Sequence, residues 1–302
     1  MLALLMVAAL AAGAAQDLEI APDEHLNVRD HGAGRTIVLV PGLTGCAYGF
    51  RHLIPGLTAA GCRVIVIEPL GIGASARPAG ADYSLTAQAD RIGAAMDRLG
   101  AGPGLVVGHG VSGSMVLRLA YRRPDLVAGV VLIEGGPDEN GTTPTVKRSL
   151  GLASLAAKLG GGRLLRDRFQ AGLEEASGDR SWIDGLTVKR YFAGAARDLH
   201  GTIAALRAMA DASEPESLRA NLDRISCGVT LLLGAAPHEG SPPPADVALL
   251  DAQLADFRSQ SFAGAGHYLF EEVPDAVTAA ILAAAQRPQV AGLPGIAQRS
   301  TP

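Results

Sequence analysis

The sequence predicts an α/β protein with a doubly wound, mostly parallel sheet and a helical lid inserted after the sixth strand. Short apolar runs alternate with helical segments along the chain of 302 residues, which is typical of strands buried on both faces of a sheet. About half of the residues are apolar, enough for a core of this size. Residues 135–229 separate the sixth run from the seventh, whereas a connection between a strand and a helix needs only a few residues.

The strands are predicted where Val, Ile and Leu cluster between turn signals. The first stretch, residues 18–30, alternates apolar and polar side chains and should add one or two antiparallel edge strands. Six further strands are predicted at residues 36–40, 63–68, 105–108, 127–134, 230–233 and 259–262. Right-handed crossovers between the parallel strands give the doubly wound arrangement.

Helices are predicted between these strands from their composition and apolar spacing. In the core they cover residues 50–60, 85–99, 112–122, 246–254 and 274–286. In the insertion they cover residues 149–159, 164–177, 181–195 and 199–212. Helices inserted at the carboxyl ends of a sheet commonly shape and shield a substrate pocket. We therefore divide the chain into a core of residues 16–136 and 225–286 and a helical lid of residues 137–224.

The two ends of the chain differ from the core in composition. Residues 1–15 are apolar or small, too short to span a bilayer but suited to a signal peptide. We expect export to the periplasm or the medium. No Lys or Arg precedes Arg29, which leaves a cytoplasmic protein with an apolar tail as the alternative. Residues 287–302 are rich in Pro, Gly and polar side chains and predict a disordered tail.

Charge and cysteine content narrow the possible functions. The 26 basic and 30 acidic residues are interspersed, so nucleic acid is not an expected partner. Cys46, Cys62 and Cys227 show no CxxC pairing and are interpreted as buried apolar side chains. We expect no metal, no organic cofactor and no stable membrane span.

Four short motifs follow predicted strands. They read VLVPGL at residues 38–43, EPLGIGAS at 68–75, VGHGVSG at 107–113 and AGAGHY at 263–268. Their order and spacing resemble the α/β-hydrolase superfamily over residues 18–285. The resemblance implies an oxyanion loop with Pro41 in place of the usual His, a turn with Glu68 in place of Asp, a nucleophile elbow and a catalytic-histidine loop.

Glycine holds the nucleophile position of the elbow. A G-x-S-x-G elbow turns a strand sharply into a helix so that the serine points outward. Family members usually have a proline fourteen residues after the nucleophile, and Pro124 lies fourteen residues after Gly110 (124 − 110 = 14). Gly110 therefore occupies the slot. Ser112 remains the alternative nucleophile, although it would require a locally rebuilt elbow.

The resemblance implies that His267 is the catalytic base. Its acidic partner is less clear, since Pro237 lies where the acid commonly follows the seventh strand, unless Glu239 or His238 substitutes. A branch of the superfamily that includes some haloalkane dehalogenases takes the acid from the end of the sixth strand, where this chain has Glu134. We favour Glu134 over Glu239 because a strand end is more rigid than a proline-rich loop.

Backbone groups complete the implied site. The amides of Leu43 and Val111 are expected to form an oxyanion hole, which no side-chain replacement removes. His109 is interpreted as structural and Cys46 as packing, because no nearby basic motif lowers the pKa of its thiol. The aromatic residues of the predicted lid could line a pocket or pack within the lid; they are Trp182, Tyr191 and Phe192.

Two hypotheses for function follow from the glycine. The first is a hydrolase of esters, lactones or similar small apolar substrates, using Ser112 or a water activated by His267 and Glu134. The second is a non-catalytic receptor or carrier for a small apolar ligand. A third possibility is an ordinary serine hydrolase whose nucleophile has been replaced, a change that costs on the order of 10⁶ in kcat.

Overall fold

A computed structural model describes residues 13–142 and 161–287, and these residues form an eight-stranded sheet in the order β1-β2-β4-β3-β5-β6-β7-β8. The strands are β1 (Ala15–Ala21), β2 (Glu24–Gly32), β3 (Arg35–Val40), β4 (Cys62–Ile67), β5 (Gly104–His109), β6 (Val127–Ile133), β7 (Gly228–Gly234) and β8 (Phe257–Phe262). β2 pairs antiparallel with β1 and β4, and the other pairs are parallel. The predicted fold class and the antiparallel edge are confirmed.

Helices lie between the strands and in the long insertion between β6 and β7. They are α1 (Leu53–Ala59), α2 (Leu85–Leu99), α3 (Ser112–Arg122), α4 (Gly162–Ala176), α5 (Gly185–Arg197), α6 (Leu199–Asp211), α7 (Pro244–Gln253), α8 (Leu269–Glu272) and α9 (Pro274–Ala285). Two 3-10 helices cover Ala47–His52 and Arg219–Arg224. In the part of the chain that the structure describes, no helix is long and apolar enough to cross a membrane.

Several boundaries differ from the sequence-based expectations. The helix expected from residue 50 starts three residues earlier, as a 3-10 turn at Ala47. Ala15, expected in the signal peptide, is the first residue of β1. β6 ends at Ile133 rather than Glu134, because Glu134 has a φ of 49° and leaves the extended conformation. The helix expected at residues 149–159 and residues 1–12 of the expected signal peptide lie outside the described residues, as do residues 288–302 of the expected tail.

The middle of the sheet is covered on both faces, and the central strands are apolar on both sides for that reason, whereas β8 at the edge exposes residues 258–261. Along β3, Val38 and Val40 belong to the buried cluster that includes residues of α2 and α3. Ile37 and Leu39 point the other way, into the cluster that includes residues of α1 and α9. Successive side chains of a strand point to opposite faces. A continuous apolar run is therefore required by burial on both sides.

The carboxyl ends of the parallel strands position the candidate site. Loops leave β3, β5, β6, β7 and β8 at the same edge of the sheet, which is where ligand sites form in open α/β sheets. The inserted helices also contact this edge, since the backbone amide of His267 donates to the carbonyl of Ala176 at the end of α4, 2.8 Å away. Their role as a lid stays a prediction.

Candidate active site

Gly110 lies in the turn between β5 and α3 and has a φ of 54°. This left-handed conformation is unfavourable for residues with a Cβ atom and is the kind of strain that an elbow contains. A Cβ atom built on Gly110 would lie 3.5 Å from Nε2 of His267, in ordinary van der Waals contact. A side chain at position 110 would therefore point towards the imidazole of His267. That this is a nucleophile slot stays a prediction.

Ser112 does not meet His267. It is the first residue of α3 and is fully buried, and its hydroxyl donates to the carbonyl of Pro41, 2.7 Å away. The hydroxyl thus ties α3 to the loop after β3. This corrects the expectation that Ser112 could replace the missing nucleophile.

His267 lies in the loop after β8, with its side chain 15% exposed. Burial lowers the pKa of His267 well below its ordinary value, and the nearby His109 and His238 lower it further. The imidazole is therefore neutral near pH 7. Its Nδ1 atom is buried and has no hydrogen-bond partner among residues 13–142 and 161–287.

His109 packs against His267, with their ring centroids 4.5 Å apart. Its Nε2 lies 3.2 Å from the backbone carbonyl of His267. A carbonyl accepts hydrogen bonds, so the proton of neutral His109 is on Nε2. Burial lowers the pKa of His109 to about 4. His109 therefore holds the backbone of His267 as a neutral donor, in agreement with its interpretation as structural.

Glu134 turns towards β7 and is held there. Its Oε1 accepts from the backbone amide of Gly234, and its Oε2 lies 2.9 Å from Nε2 of His238 and accepts from the hydroxyl of Ser241 at 2.6 Å. The same Oε2 lies 4.0 Å from Nδ1 of His267, too far for a hydrogen bond. The structure thus brings Glu134 close to His267, but its hydrogen bonds go to other partners.

His238 is the unexpected member of the site. Its Nδ1 lies 2.7 Å from the carbonyl of Ala236, and its Nε2 faces Glu134. Both ring nitrogens therefore face acceptors. The ring is thus held between the carbonyl of Ala236 and the carboxyl group of Glu134.

Glu239, the alternative acid, is exposed, and no contact with His267 is found among the described residues. The structure therefore gives Glu239 no role beside His267, and the identity of the acid stays a prediction. The next-door position His238 is turned inwards with its side chain only 2% exposed. Its Nδ1 contact with Ala236, two residues earlier, orients the ring towards Glu134.

The expected oxyanion donors lie on either side of the elbow. Leu43 follows β3 and Val111 precedes α3. Within the described ranges, neither backbone amide donates a hydrogen bond to another protein group. Both remain available to a ligand oxygen, as an oxyanion hole requires. Their role stays a prediction.

Glu272 anchors the loop of His267, a role that the sequence analysis missed. Its Oε2 accepts from the backbone amides of Gly178, Asp179 and Gly266 at 2.8 to 2.9 Å. Its Oε1 accepts from the amide of Tyr268 at 3.3 Å. One carboxylate therefore binds both neighbours of His267 and the connection after α4.

Aromatic side chains of the insertion pack beside the same loop. Trp182 lies 5.3 Å from the ring of Tyr268 and 5.8 Å from the ring of Tyr191. Phe192 instead packs within the insertion, on Phe169 at 5.6 Å. Trp182 and Tyr191 thus pack on Tyr268, the neighbour of His267, and Phe192 packs within the insertion.

Two further groups bear on the chemistry of the site. Burial and the nearby carboxylate of Glu68 together raise the pKa of the Cys46 thiol to about 12, so this thiol is not an anion near neutral pH. Glu134, His238 and His267 each offer one possible metal-ligand atom, and these atoms lie within 4.8 Å of one another.

Part of this chain is similar in sequence to known hydrolases. The family model described as alpha/beta hydrolase fold matches residues 35–155. The 2-hydroxymuconate semialdehyde hydrolase of Pseudomonas sp. (strain CF600) is 29% identical over 194 residues, covering 55% of this chain and 68% of that protein. Epoxide hydrolase B of Mycobacterium tuberculosis (strain ATCC 25618 / H37Rv) is 33% identical over 99 residues, covering 32% of this chain and 28% of that protein.

Solved structures match over a greater length. A bromoperoxidase from Bacillus anthracis has a TM-score of 0.75 and 19% identity, covering 90% of this chain and 99% of that one. An esterase from Exiguobacterium antarcticum has a TM-score of 0.72 and 19% identity, covering 91% of this chain and all of that one. At this identity the likeness shows the fold.

Proposed function

We propose that this chain is a member of the α/β-hydrolase superfamily and hydrolyses esters, lactones or similar small apolar substrates with a water molecule as nucleophile; the match of residues 35–155 to the alpha/beta hydrolase fold model supports the family. The observation that carries the proposal is the direction of position 110, whose Cβ would lie 3.5 Å from Nε2 of His267. Glycine leaves the volume of a serine side chain available to a water beside this nitrogen. The names of the relatives, which include hydrolases and an esterase, support the reaction class.

His267 is the proposed base. Because burial lowers its pKa well below the ordinary value, the ring is neutral and one nitrogen carries a lone pair. Nδ1 lies on the side of Glu134, so the proton belongs there and the lone pair on Nε2 faces position 110. Nε2 accepts a proton from the water as its oxygen attacks the carbonyl carbon of the substrate.

The negative charge then develops on the substrate oxygen. The amides of Leu43 and Val111 are the proposed donors to this oxyanion. When the tetrahedral intermediate collapses, the alcohol leaving group takes the proton back from His267, and the carboxylic acid is released. No covalent intermediate forms on the protein. An oxyanion hole and binding alone supply about 10³ to 10⁴ over water, so we expect a slow enzyme.

A second candidate is supported by the contacts of Glu134. Its carboxylate is 4.0 Å from His267 and is bonded to His238 and Ser241 instead. A base without a bonded carboxylate is less well oriented, and the imidazolium that it forms is less stabilised. A receptor or carrier for small apolar ligands would not need a hydrogen bond between Glu134 and His267.

The test is hydrolysis of chromogenic esters of increasing acyl length by the purified chain. His267→Ala should lower turnover by about 10² to 10⁴, the usual contribution of a general base. His200→Ala is the matched control, because His200 is an exposed histidine of α6, and it should behave as the wild type. Equal turnover by His267→Ala and wild type would refute the water route and favour the binding protein.

A further inference from the structure

Three side chains at the carboxyl ends of β6, β7 and β8 converge on one point. We propose that Glu134, His238 and His267 bind a divalent transition-metal ion of the zinc class. Oε2 of Glu134 lies 2.9 Å from Nε2 of His238 and 4.0 Å from Nδ1 of His267. The possible ligand atoms of all three residues lie within 4.8 Å of one another. The site shares His267 with the proposed hydrolysis, but no metal takes part in that reaction.

The donor set has the chemistry that such an ion prefers. Two imidazole nitrogens and one carboxylate oxygen are common ligands of Zn²⁺, with bonds of about 2.0 to 2.2 Å. In a tetrahedral site, bonds of that length hold ligand atoms ~3.4 Å apart. The observed 2.9 and 4.0 Å lie on either side of that value. Small side-chain movements of Glu134 and His267 are therefore sufficient to form the site.

The surroundings of the ligands fit a metal as well. Metal-bound histidines usually donate the other ring N–H to a carbonyl or a carboxylate. Nδ1 of His238 has such an acceptor, the carbonyl of Ala236 at 2.7 Å, which leaves Nε2 to face Glu134. A metal ion can take the place of the proton between these two atoms. The second oxygen of Glu134 is held by the amide of Gly234.

His267 supplies a second and independent observation. Its Nδ1 is buried and lacks a hydrogen-bond partner in the described part of the chain, although a lone buried polar atom is unfavourable. A Cβ atom on Gly240 would lie only 3.1 Å from this nitrogen, and Gly240 has a φ of 95°. Glycine at 240 therefore keeps a side chain away from the nitrogen that lacks a partner.

Charge favours a cation at this point. The side chains of Glu134 and His238 are 0% and 2% exposed, and that of His267 is 15% exposed. Among residues 13–142 and 161–287, no Lys or Arg forms an ion pair with Glu134. A divalent ion would thus meet one buried carboxylate and two imidazoles, with no fixed positive charge in competition.

Binding of an ion to Glu134, His238 and His267 has a consequence for hydrolysis. This consequence rests on the proposed function. An ion on Nδ1 of His267 leaves the ring proton on Nε2, the atom that faces position 110. Nε2 then has no lone pair with which to accept a proton from water. Binding of the ion would therefore inhibit the water route.

The experiment uses the full chain without an affinity tag, freed of metal by a chelator and then dialysed. Isothermal titration with Zn²⁺ should give one ion per chain, and Co²⁺ should give the visible absorption of a four- or five-coordinate ion. His238→Ala should weaken Zn²⁺ binding at least about tenfold, whereas His200→Ala, which changes an exposed histidine of α6, should bind as the wild type. Circular dichroism of each variant establishes that it is folded.

Two results would overturn the site: no saturable Zn²⁺ binding by the wild type, or equal binding by wild type, His238→Ala and Glu134→Gln. If His238→Ala does not fold, the titration and the Co²⁺ spectrum of the wild type decide alone. Ester hydrolysis is then measured in chelator and in excess Zn²⁺. Metal binding without any hydrolysis in chelator would refute the proposed function and leave the site intact. Hydrolysis in chelator without saturable Zn²⁺ binding would refute the metal site and leave the proposed function intact.

Discussion

Replacing Gly110 by serine tests the elbow directly. The new Cβ would meet only ordinary contacts, since the nearest atom is Nε2 of His267 at 3.5 Å. The backbone has a φ of 54°, and a residue with a Cβ pays about 1 to 2 kcal/mol in this conformation. Gly110→Ser should therefore fold with slightly reduced stability. Its hydroxyl would lie within hydrogen-bond reach of His267.

The expected gain in turnover can be worked from the geometry. A serine nucleophile contributes on the order of 10⁶ to kcat in a complete triad, and a carboxylate that orients the histidine contributes about 10⁴. Glu134 is 4.0 Å from His267 and is bonded to His238, so the contribution of the carboxylate is not available at first. We expect Gly110→Ser to hydrolyse esters at least about 10²-fold faster than wild type, which is the ratio of these factors.

The assay is stopped-flow hydrolysis of a p-nitrophenyl ester together with mass spectrometry of the quenched protein. Gly110→Ser should give a burst of product and an acyl group on residue 110. Gly110→Ala is the control, because it has the same Cβ and the same backbone strain without the hydroxyl. If folded Gly110→Ser is no faster than Gly110→Ala and is not acylated, position 110 is not a nucleophile slot.

Two further predictions concern the groups that hold the backbone around His267, namely Glu272 and His109. Glu272→Gln should lower the free energy of unfolding by about 2 kcal/mol, because a charged acceptor of backbone amides is lost, and it should reduce kcat more than KM. The control in urea titrations is Glu239→Gln, which changes an exposed side chain. Equal stability of the two variants would contradict the role of Glu272. Burial lowers the pKa of His109 to about 4, below the ordinary histidine value of about 6.5, so at this residue only the unfolded chain gains a proton as the pH falls from 6.5 to 4. His109 should therefore contribute a fall of about 3 kcal/mol in stability over this range, and the total fall should be smaller in His109→Gln. Identical slopes of unfolding free energy against pH in the wild type and His109→Gln would refute the assignment.

The sheet was predictable because burial on both faces dictates composition. The buried part of β3, residues 37–40, is apolar at every position, and such runs stand out from helical segments without any knowledge of distant contacts. The sharp turn after β5 was predictable in position for a similar reason, since small residues surround Gly110, which has a positive φ. Both features depend on local sequence.

The partners of Glu134 were not predictable in the same way. Its contacts with His238 and Ser241 depend on the path of the loop after β7 and on the positive φ that turns Glu134 towards it. From the sequence alone, His238 and Glu239 were alternatives for the partner of His267. Backbone direction decided between them, because one side chain of two neighbours points inwards and the other outwards. The amides bound by Glu272 come from two loops that are distant in sequence.

The hydrogen bond from Ser112 to Pro41 has a consequence for chemical labelling. Reagents that detect serine hydrolases, such as fluorophosphonates, need an exposed hydroxyl beside a base. At the elbow, position 110 offers no hydroxyl, and the hydroxyls of Ser112 and Ser114 are fully buried and already donate to carbonyl groups. Such reagents should therefore leave residues 110, 112 and 114 unlabelled, even in a chain that hydrolyses an ester.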